Sequence, residues 1–288
     1  MNYADLKGSI FYNGEIVEWH QAKLHVLSHG LHYASSVFEG ERSYNNKIFK
    51  EEEHTARLIH SAQTLGFEIP HSADEIVKIK KKVLETNKIS HGYIRPVAWR
   101  GSEMMGISAQ KNTIHFAVAA WEWPSYFSPE AKLKGIKLNI SKWRRPDPST
   151  APVNTKAAGL YMICTLSKHE AESQGYDDSL MLDYRGYIAE ATGANIFFVK
   201  NQELHTPIAD CFLDGITRQT IISLAKEQGI VVSEKRIKLE DLSSYEECFV
   251  TGTAAEVTPV NQIGNYTFKP SSLCKNFIEQ YSVLTNCD

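Results

Sequence analysis

Between Ser179 and Pro207 the chain writes out short apolar runs broken by turns: SLMLD, the turn YRG, YIAEA, then NIFFVK, the turn NQ, and ELHTP. Strands this short bury their apolar faces only by pairing with neighbours, so the spacing predicts hairpins in an antiparallel or barrel-like sheet. Upstream the pattern is different. FYNGEIVEW carries Asn13-Gly14, a strong hairpin-turn signal, and LHVLSHGLHY reads as a further β-rich run. Ala56, Ile59, Ala62 and Leu65 are spaced as one face of a helix from Glu51 to Leu65. Ser72 and Glu75 form a capping box before Ile76, Ile79 and Val83, which predicts a second helix. Two strand-like runs follow, Tyr93 to Trp99 and Thr113 to Ala120. Strands and helices occur without regular βαβ alternation, which argues for an α+β fold.

Further on, Ser125 to Gly135 reads as a linker, with Pro129 and two lysines between apolar strands. Gly135 to Ser141 alternates like a strand, and Arg144 to Pro152 is proline-rich and irregular. Asn154 to Glu172 is expected to be helical, with Leu160, Ile163 and Leu166 on one side. Another helix is expected from Thr217 to Gln228, ending at Gly229. A length of 288 residues suits one large domain or two ordinary ones. The reading is a small N-terminal α+β domain over 1–126, a linker over 127–135, and a larger barrel-like domain over 136–288.

The balance of charges excludes whole classes of partner. Lys+Arg 31 against Asp+Glu 34 leaves a net charge of -3, which gives no general attraction to nucleic acid or anionic lipid. MNYADLKGSI lacks the basic-then-apolar pattern of a secretory signal, and no apolar run approaches the roughly 18 residues of a membrane span. The five cysteines include no C-x-x-C. A reduced, cytoplasmic setting is expected.

Nucleotide-loop, zinc-protease and nucleophile-elbow motifs are absent. His25, His29 and His32 come nearest to a metal set but lack accompanying cysteines or carboxylates, so no metal is expected. What remains is a group of short segments. In NTKAAGLY, Lys156 stands among small residues at a helix start. If it points into a cavity, desolvation lowers its pKa and leaves the amine that attacks an aldehyde. A solvated lysine is the commoner case. In GYIAEATGAN, Glu190 interrupts an apolar strand. A buried carboxylate there needs a cationic partner, either a core arginine or the protonated nitrogen of an aromatic ring. LDGITR leads Leu213, Ile216 and Thr217 into a helix whose first N–H groups face an anion or are capped by the chain's own Thr or Asp. TGTAAE places Thr253 and Ala254 in a small-residue turn that lets a ligand approach the backbone. Arg57, on the first long helix, adds a positive charge that a phosphate would need, though an arginine there is more often solvated.

Taken together, and in this order along the chain, these segments resemble the branched-chain aminotransferase family of class IV pyridoxal-phosphate enzymes. The resemblance runs from FYNGEIVEW through SHGLHY, SVFEG, YIRP, NTKAAGLY and GYIAE to LDGITR and GTAAEVTPV. It implies the two-domain type IV fold, a small α/β sandwich beside a larger pseudo-barrel. It also implies transfer of the amino group of L-leucine, L-isoleucine or L-valine to 2-oxoglutarate by a ping-pong mechanism with pyridoxal 5'-phosphate. Lys156 would carry the cofactor and shuttle the proton, and Glu190 would pair with the pyridine nitrogen. Arg57, Ile216, Thr217 and Thr253 would hold the phosphate, Leu213 would pack on the ring, and Tyr161 would sit by the phenolic oxygen. Phe38, Trp123, Tyr126 and Tyr161 would wall the side-chain pocket. Tyr33 and Ile107 would reach in from a second subunit, so a homo-oligomer of at least two is implied. Thr253 and Ala254 would bind the substrate carboxylate with help from Tyr93, and Arg95 would receive the side-chain carboxylate of glutamate. Other activities on this fold, D-amino acid transamination and aminodeoxychorismate lysis, are the nearest alternatives; a catalytically silent binding protein is a more distant one. The sequence departs from the family's usual pattern at Ala34, Glu41, Trp99-Arg100 and Ala194.

Overall fold

The computed structural model describes residues 2–123, 127, 130 and 134–286, the side chain of residue 286 excepted. The chain divides into two compact units, Met1–Pro124 with Thr155–Gly159, and Ser125–Asn154 with Leu160–Asp288. Thr155–Gly159 therefore group with the first unit, although their place in the sequence had put them in the second.

In the first unit, β1 (Ser9–Tyr12) and β2 (Glu15–Glu18) form the expected hairpin. Asn13 and Gly14 both have positive φ, 50° and 100°, the twist that a two-residue hairpin turn requires. There follow α1 (His29–Tyr33), β3 (Ser36–Phe38), β4 (Glu41–Tyr44), β5 (Lys47–Ile48), α2 (Glu51–Thr64), α3 (Ala73–Asn87), β6 (Gly92–Arg100) and β7 (Ile114–Trp121). Among the described residues the sheet runs β2-β1-β7-β6-β4-β5, with β3 also on β6, and its pairs are antiparallel. Alternation divides its residues between two faces. Ile94, Ala98, Phe116 and Val118 point to one face, where Leu58 and Ala62 of α2 and Ile76 and Val83 of α3 close the core. Tyr93, Arg95, Val97 and Trp99 occupy the other.

One expectation fails here and another holds in part. The run LHVLSHGLHY is not a strand: its backbone turns on itself, Ser28 N–H to His25 and Leu31 N–H to Ser28, into the short α1. Leu24, Val26 and Leu31 are left 51%, 66% and 61% exposed. On α2, Ala62 is buried and Ile59 and the C-cap residue Leu65 pack against the core as expected, but the buried face is wider on one side and excludes Ala56. Ala56 is exposed, and His54, Thr55 and Ser61 are buried beside Leu58 and Ala62. These polar residues have partners inside the unit, and an apolar count cannot see that. The Ser72–Glu75 capping box forms as expected.

The second unit holds β8 (Ile136–Arg145), α4 (Met162–Ser173), β9 (Asp178–Asp183), β10 (Ile188–Ala191), β11 (Asn195–Lys200), β12 (Glu203–Pro207), α5 (Ile216–Glu227), β13 (Val232–Lys235), β14 (Glu247–Gly252), β15 (Glu256–Ile263), β16 (Tyr266–Thr267) and α6 (Ser272–Asn286). The described strands make one sheet in the order β10-β9-β8-β15-β14-β11-β12-β13, with β16 on β15. The hairpins read from the sequence are present, yet the sheet is mixed: β8 lies parallel to β9 and β15, and β12 parallel to β13. The reason is connectivity. A helix intervenes between β8 and β9 and another between β12 and β13, and a crossover of that length returns the chain in the same direction. Ile136, Leu138, Leu180, Ile196, Phe198, Val250 and Val260 fill one core cluster. Phe197 and Phe249 stack 5.1 Å apart on the opposite face, with Phe277 of α6 against Phe249. Among the described residues no helix is long and apolar enough to cross a membrane.

Candidate active site

Lys156 does not begin a helix. It lies in an extended segment whose next residue, Ala157, bridges to Val37, and the helical turns start only at Ala158. Its backbone is held on both sides: Phe38 N–H donates to the Lys156 carbonyl at 3.2 Å, and Lys156 N–H donates to Ser61 Oγ at 3.0 Å. Tied to β3 and α2 in this way, the lysine places its Nζ 4.8 Å from the centre of the Phe38 ring. The residue keeps some accessible surface, but burial of the amine dominates its chemistry and pulls its pKa down to about 8. Glu39 opposes that shift, and Arg57 adds to it.

Arg57 is oriented by a residue the sequence reading did not single out. Glu39, fully buried, accepts from Arg57 Nε at 2.6 Å and Nη2 at 2.9 Å, a two-point grip, and its Oε2 lies 2.7 Å from His54 Nδ1. Burial alone would raise the Glu39 pKa, but Arg57 and His54 outweigh it and hold the carboxyl well below the usual range. The signal was available in SVFEG as an acid closing an apolar strand, the same kind of signal that drew attention to Glu190.

On the open face of the first sheet, Arg95 spreads over Phe38 at 4.6 Å and Tyr93 at 5.2 Å. Its Nη2 donates to Tyr93 Oη at 3.1 Å, while its Nε is buried without a hydrogen-bond partner among the described residues. Trp123 meets Tyr93 edge-on at 4.8 Å. Lys156, Arg57, Phe38, Tyr93, Arg95 and Trp123 therefore belong to one neighbourhood of the first unit. Arg95 also borders an apolar groove of about 350 Å³ with Tyr12, Leu24, Leu31, Val97 and Trp99. Tyr33 and Ile107 stay at the surface, 44% and 82% exposed, with Tyr33 Oη donating to the Met105 carbonyl. Tyr126 lies outside the described residues.

The second unit gathers the other residues. A bulge in β10 puts Ile188 opposite Leu182 but Glu190 opposite Met181, a break in alternation that re-aims a side chain. Glu190 is 8% exposed. Its Oε1 lies 3.2 Å from Arg145 Nε, and its Oε2 accepts from Asn195 Nδ2 at 3.2 Å. The first contact has the distance of an ion pair without hydrogen-bond alignment, since Arg145 Nε has no such partner among the described residues. The core arginine considered from the sequence is therefore real. Burial opposes the charge on Arg145, but Glu190 holds its pKa above the ordinary value. Arg145 also lies 3.4 Å from the buried Cys164 Sγ, whose pKa burial raises to about 11. Tyr161 is near enough to add to the field at Arg145.

Helix α5 opens at Gly215 with no side-chain cap. Asp214 instead pairs with Arg218 at 2.7 Å, and among the described residues no side-chain cap closes this helix start. Ile216 and Thr217 at this end are buried, and Leu213 precedes them half-buried. Across the sheet Asn195 faces Thr251, whose buried hydroxyl has no partner among the described residues. Thr253 and Ala254 follow in the turn between β14 and β15. An uncapped helix start is a ready anion site.

Residues 36–263 match the family described as amino-transferase class IV. The chain belongs to the class IV aminotransferases. A probable branched-chain-amino-acid aminotransferase of Rickettsia conorii is 50% identical over 254 residues, which is 88% of this chain and 86% of that protein. Among solved structures, a branched-chain aminotransferase from Thermoproteus uzoniensis with norvaline superposes with a TM-score of 0.93 at 34% identity, covering 97% of this chain and 95% of that one. The branched-chain amino acid aminotransferase of Thermobaculum terrenum in its PLP form gives 0.88 at 28% identity, covering 97% and 94%. The α+β reading and the family resemblance hold for this class IV aminotransferase. Sequence reasoning gave no role to Glu39, His54, Arg145 and Asn195, although Glu39 and Asn195 stand inside the quoted strings SVFEG and GYIAEATGAN.

Proposed function

We propose that this chain transfers the amino group of L-leucine, L-isoleucine or L-valine to 2-oxoglutarate, using pyridoxal 5'-phosphate held by Lys156. The observation that carries the reading is the Lys156 amine, desolvated and brought to about 8 in a neighbourhood of aromatic and cationic side chains. An amine of that pKa is unprotonated often enough near neutral pH to attack an aldehyde and to accept a proton. The uncapped start of α5, with Ile216 and Thr217, suits a phosphate, as does the charge of Arg57. Glu190, a buried acid 3.2 Å from Arg145 Nε, suits a protonated ring nitrogen. When bound, the cofactor supplies the aldehyde carbon and an electron-withdrawing aromatic ring.

Each side chain then has a task. Lys156 takes the substrate Cα proton and would pass it to C4′ of the cofactor. Leu213 packs on the ring and Tyr161 stands by its phenolic oxygen, while Thr253 joins the phosphate grip. Phe38 and Trp123 offer apolar rings that suit branched side chains, and Tyr161 and Tyr126, the latter outside the described residues, are assigned to the same wall. Thr253 and Ala254 receive the substrate carboxylate. Arg95 offers the buried Nε to the second carboxylate of glutamate, a charge that an aromatic pocket would otherwise reject. The exposed Tyr33 and Ile107 and the groove beside Arg95 suit a second copy of the chain, and we place the enzyme in the cytoplasm as a homo-oligomer.

Single half-reactions test this reading. L-Leucine should convert the yellow enzyme to its amino form, and 2-oxoglutarate should restore it. Conversion by D-alanine in place of L-leucine would move the activity to the D-amino acid branch of the fold. Arg95→Gln should raise the KM for 2-oxoglutarate by about tenfold or more while leaving the leucine half-reaction within about threefold.

A further inference from the structure

Asn195 opens β11 at 5% exposure and uses its side-chain amide in three directions. Nδ2 donates to Glu190 Oε2 at 3.2 Å and to the Leu213 carbonyl at 3.0 Å. Oδ1 accepts from Gly215 N–H at 3.1 Å. One amide, with two donor hydrogens and an acceptor oxygen, therefore ties the buried acid to both sides of the turn that starts α5. The strand behind it is fixed in turn by pairing with Thr251.

Gly215 is the counterpart of this arrangement. Its φ of −67° is ordinary, so the glycine is not needed for backbone conformation. It is needed for space: a Cβ there would come within 2.2 Å of Asn195 Oδ1 and 3.4 Å of Asn195 Cγ, and the next nearest atom, Arg218 Cβ, is 3.8 Å away. The glycine in LDGITR lets the backbone sit directly on the amide of Asn195.

We propose that Asn195 is a positioning residue that holds the Glu190 carboxylate and the Leu213–Gly215 turn at one fixed spacing. Ring acid and phosphate grip are thereby set to the length of a single cofactor. The inference rests on the assignment of Glu190 to the ring nitrogen and of Ile216 and Thr217 to the phosphate. Arg145 faces Glu190 Oε1, and Asn195 holds its place through Oε2.

The test uses the full chain stripped of cofactor and measures dissociation constants for pyridoxal 5'-phosphate and for pyridoxal, which lacks the phosphate. Asn195→Ala should weaken pyridoxal phosphate by about 10- to 100-fold, as expected for lost hydrogen bonds to a charged group and its turn. Pyridoxal should weaken much less, so that the ratio of the two affinities collapses. Gly215→Ala should do the same by pushing the amide aside. Because its clash is with Asn195 alone, the double variant should bind no worse than Asn195→Ala. A wild-type affinity ratio in Asn195→Ala, equal weakening of both ligands, or penalties that add in the double variant would overturn the inference. If Asn195→Ala does not fold, Gly215→Ala alone decides by the same ratio. A wild-type chain that binds neither ligand would instead sink the cofactor assignment beneath it.

Discussion

Ala34 ends α1 with φ 53° and ψ 26°, the left-handed conformation that a Cβ disfavours by about 1–2 kcal/mol. The sequence marked this alanine as a departure from a usual glycine, and the geometry shows what the departure entails. Ala34→Gly should relieve the strain, less the extra freedom it gives the unfolded chain, for a net gain of up to about 1 kcal/mol. A shift of the urea midpoint to higher concentration with an unchanged slope would register it. Lys156 yields a prediction with a sign. Its amine titrates near 8 in the folded protein against an ordinary 10.5. Between those values the unfolded chain holds a proton that the folded chain has released, so stability of the cofactor-free protein rises with pH across the window. Denaturation followed from pH 7 to 11 should show wild type gaining on Lys156→Met through that range. A constant difference between the two would contradict the burial of the amine.

Between elements, a buried ion pair joins β4 to α3. Lys80 Nζ is 2.7 Å from Glu41 Oε2 and 2.7 Å from Thr55 Oγ1, with both charged side chains almost fully enclosed. Burial pushes the Glu41 pKa up to about 8 although Lys80 pulls the other way, the mark of a charge that is expensive to keep inside. Lys80→Met alone should therefore cost about 3–5 kcal/mol, and adding Glu41→Leu should return stability to wild type or above it. Equilibrium urea unfolding of the two variants checks this. Glu41 also shows the limit of reading elements from sequence. It was visible as an unusual residue, but its partner stands 39 positions away on helix α3. The Asn13-Gly14 hairpin and the α3 capping box were legible because their physics is local. The buried polar residues of α2, the coil around α1 and the parallel pairs of the second sheet were not. They depend on buried polar partners and on crossovers that no periodicity records.

At the scale of the whole chain, the motifs located the residues that would meet the cofactor but not the polar groups that hold them. Lys156, Glu190 and the turn before α5 sit in recognisable strings. Glu39 and Asn195 stand in such strings too, but their partners, His54 and Arg57 on α2 and the Leu213–Gly215 turn, lie far along the chain, as Glu190 does from Arg145, and spacing does not record the pairing. The proposed assembly is the other feature at this scale. Ile107 is 82% exposed on the unit that also carries the apolar groove, and Ile107→Asp should lower the association constant of the oligomer by about tenfold or more, read by sedimentation, without unfolding the subunit. Function turns most on the chemistry of one amine. Borohydride treatment of the yellow protein, followed by digestion and mass analysis, should leave a single phosphopyridoxyl group on the peptide containing Lys156. A protein that transaminates L-leucine yet carries that group on another lysine, or on none, would contradict it.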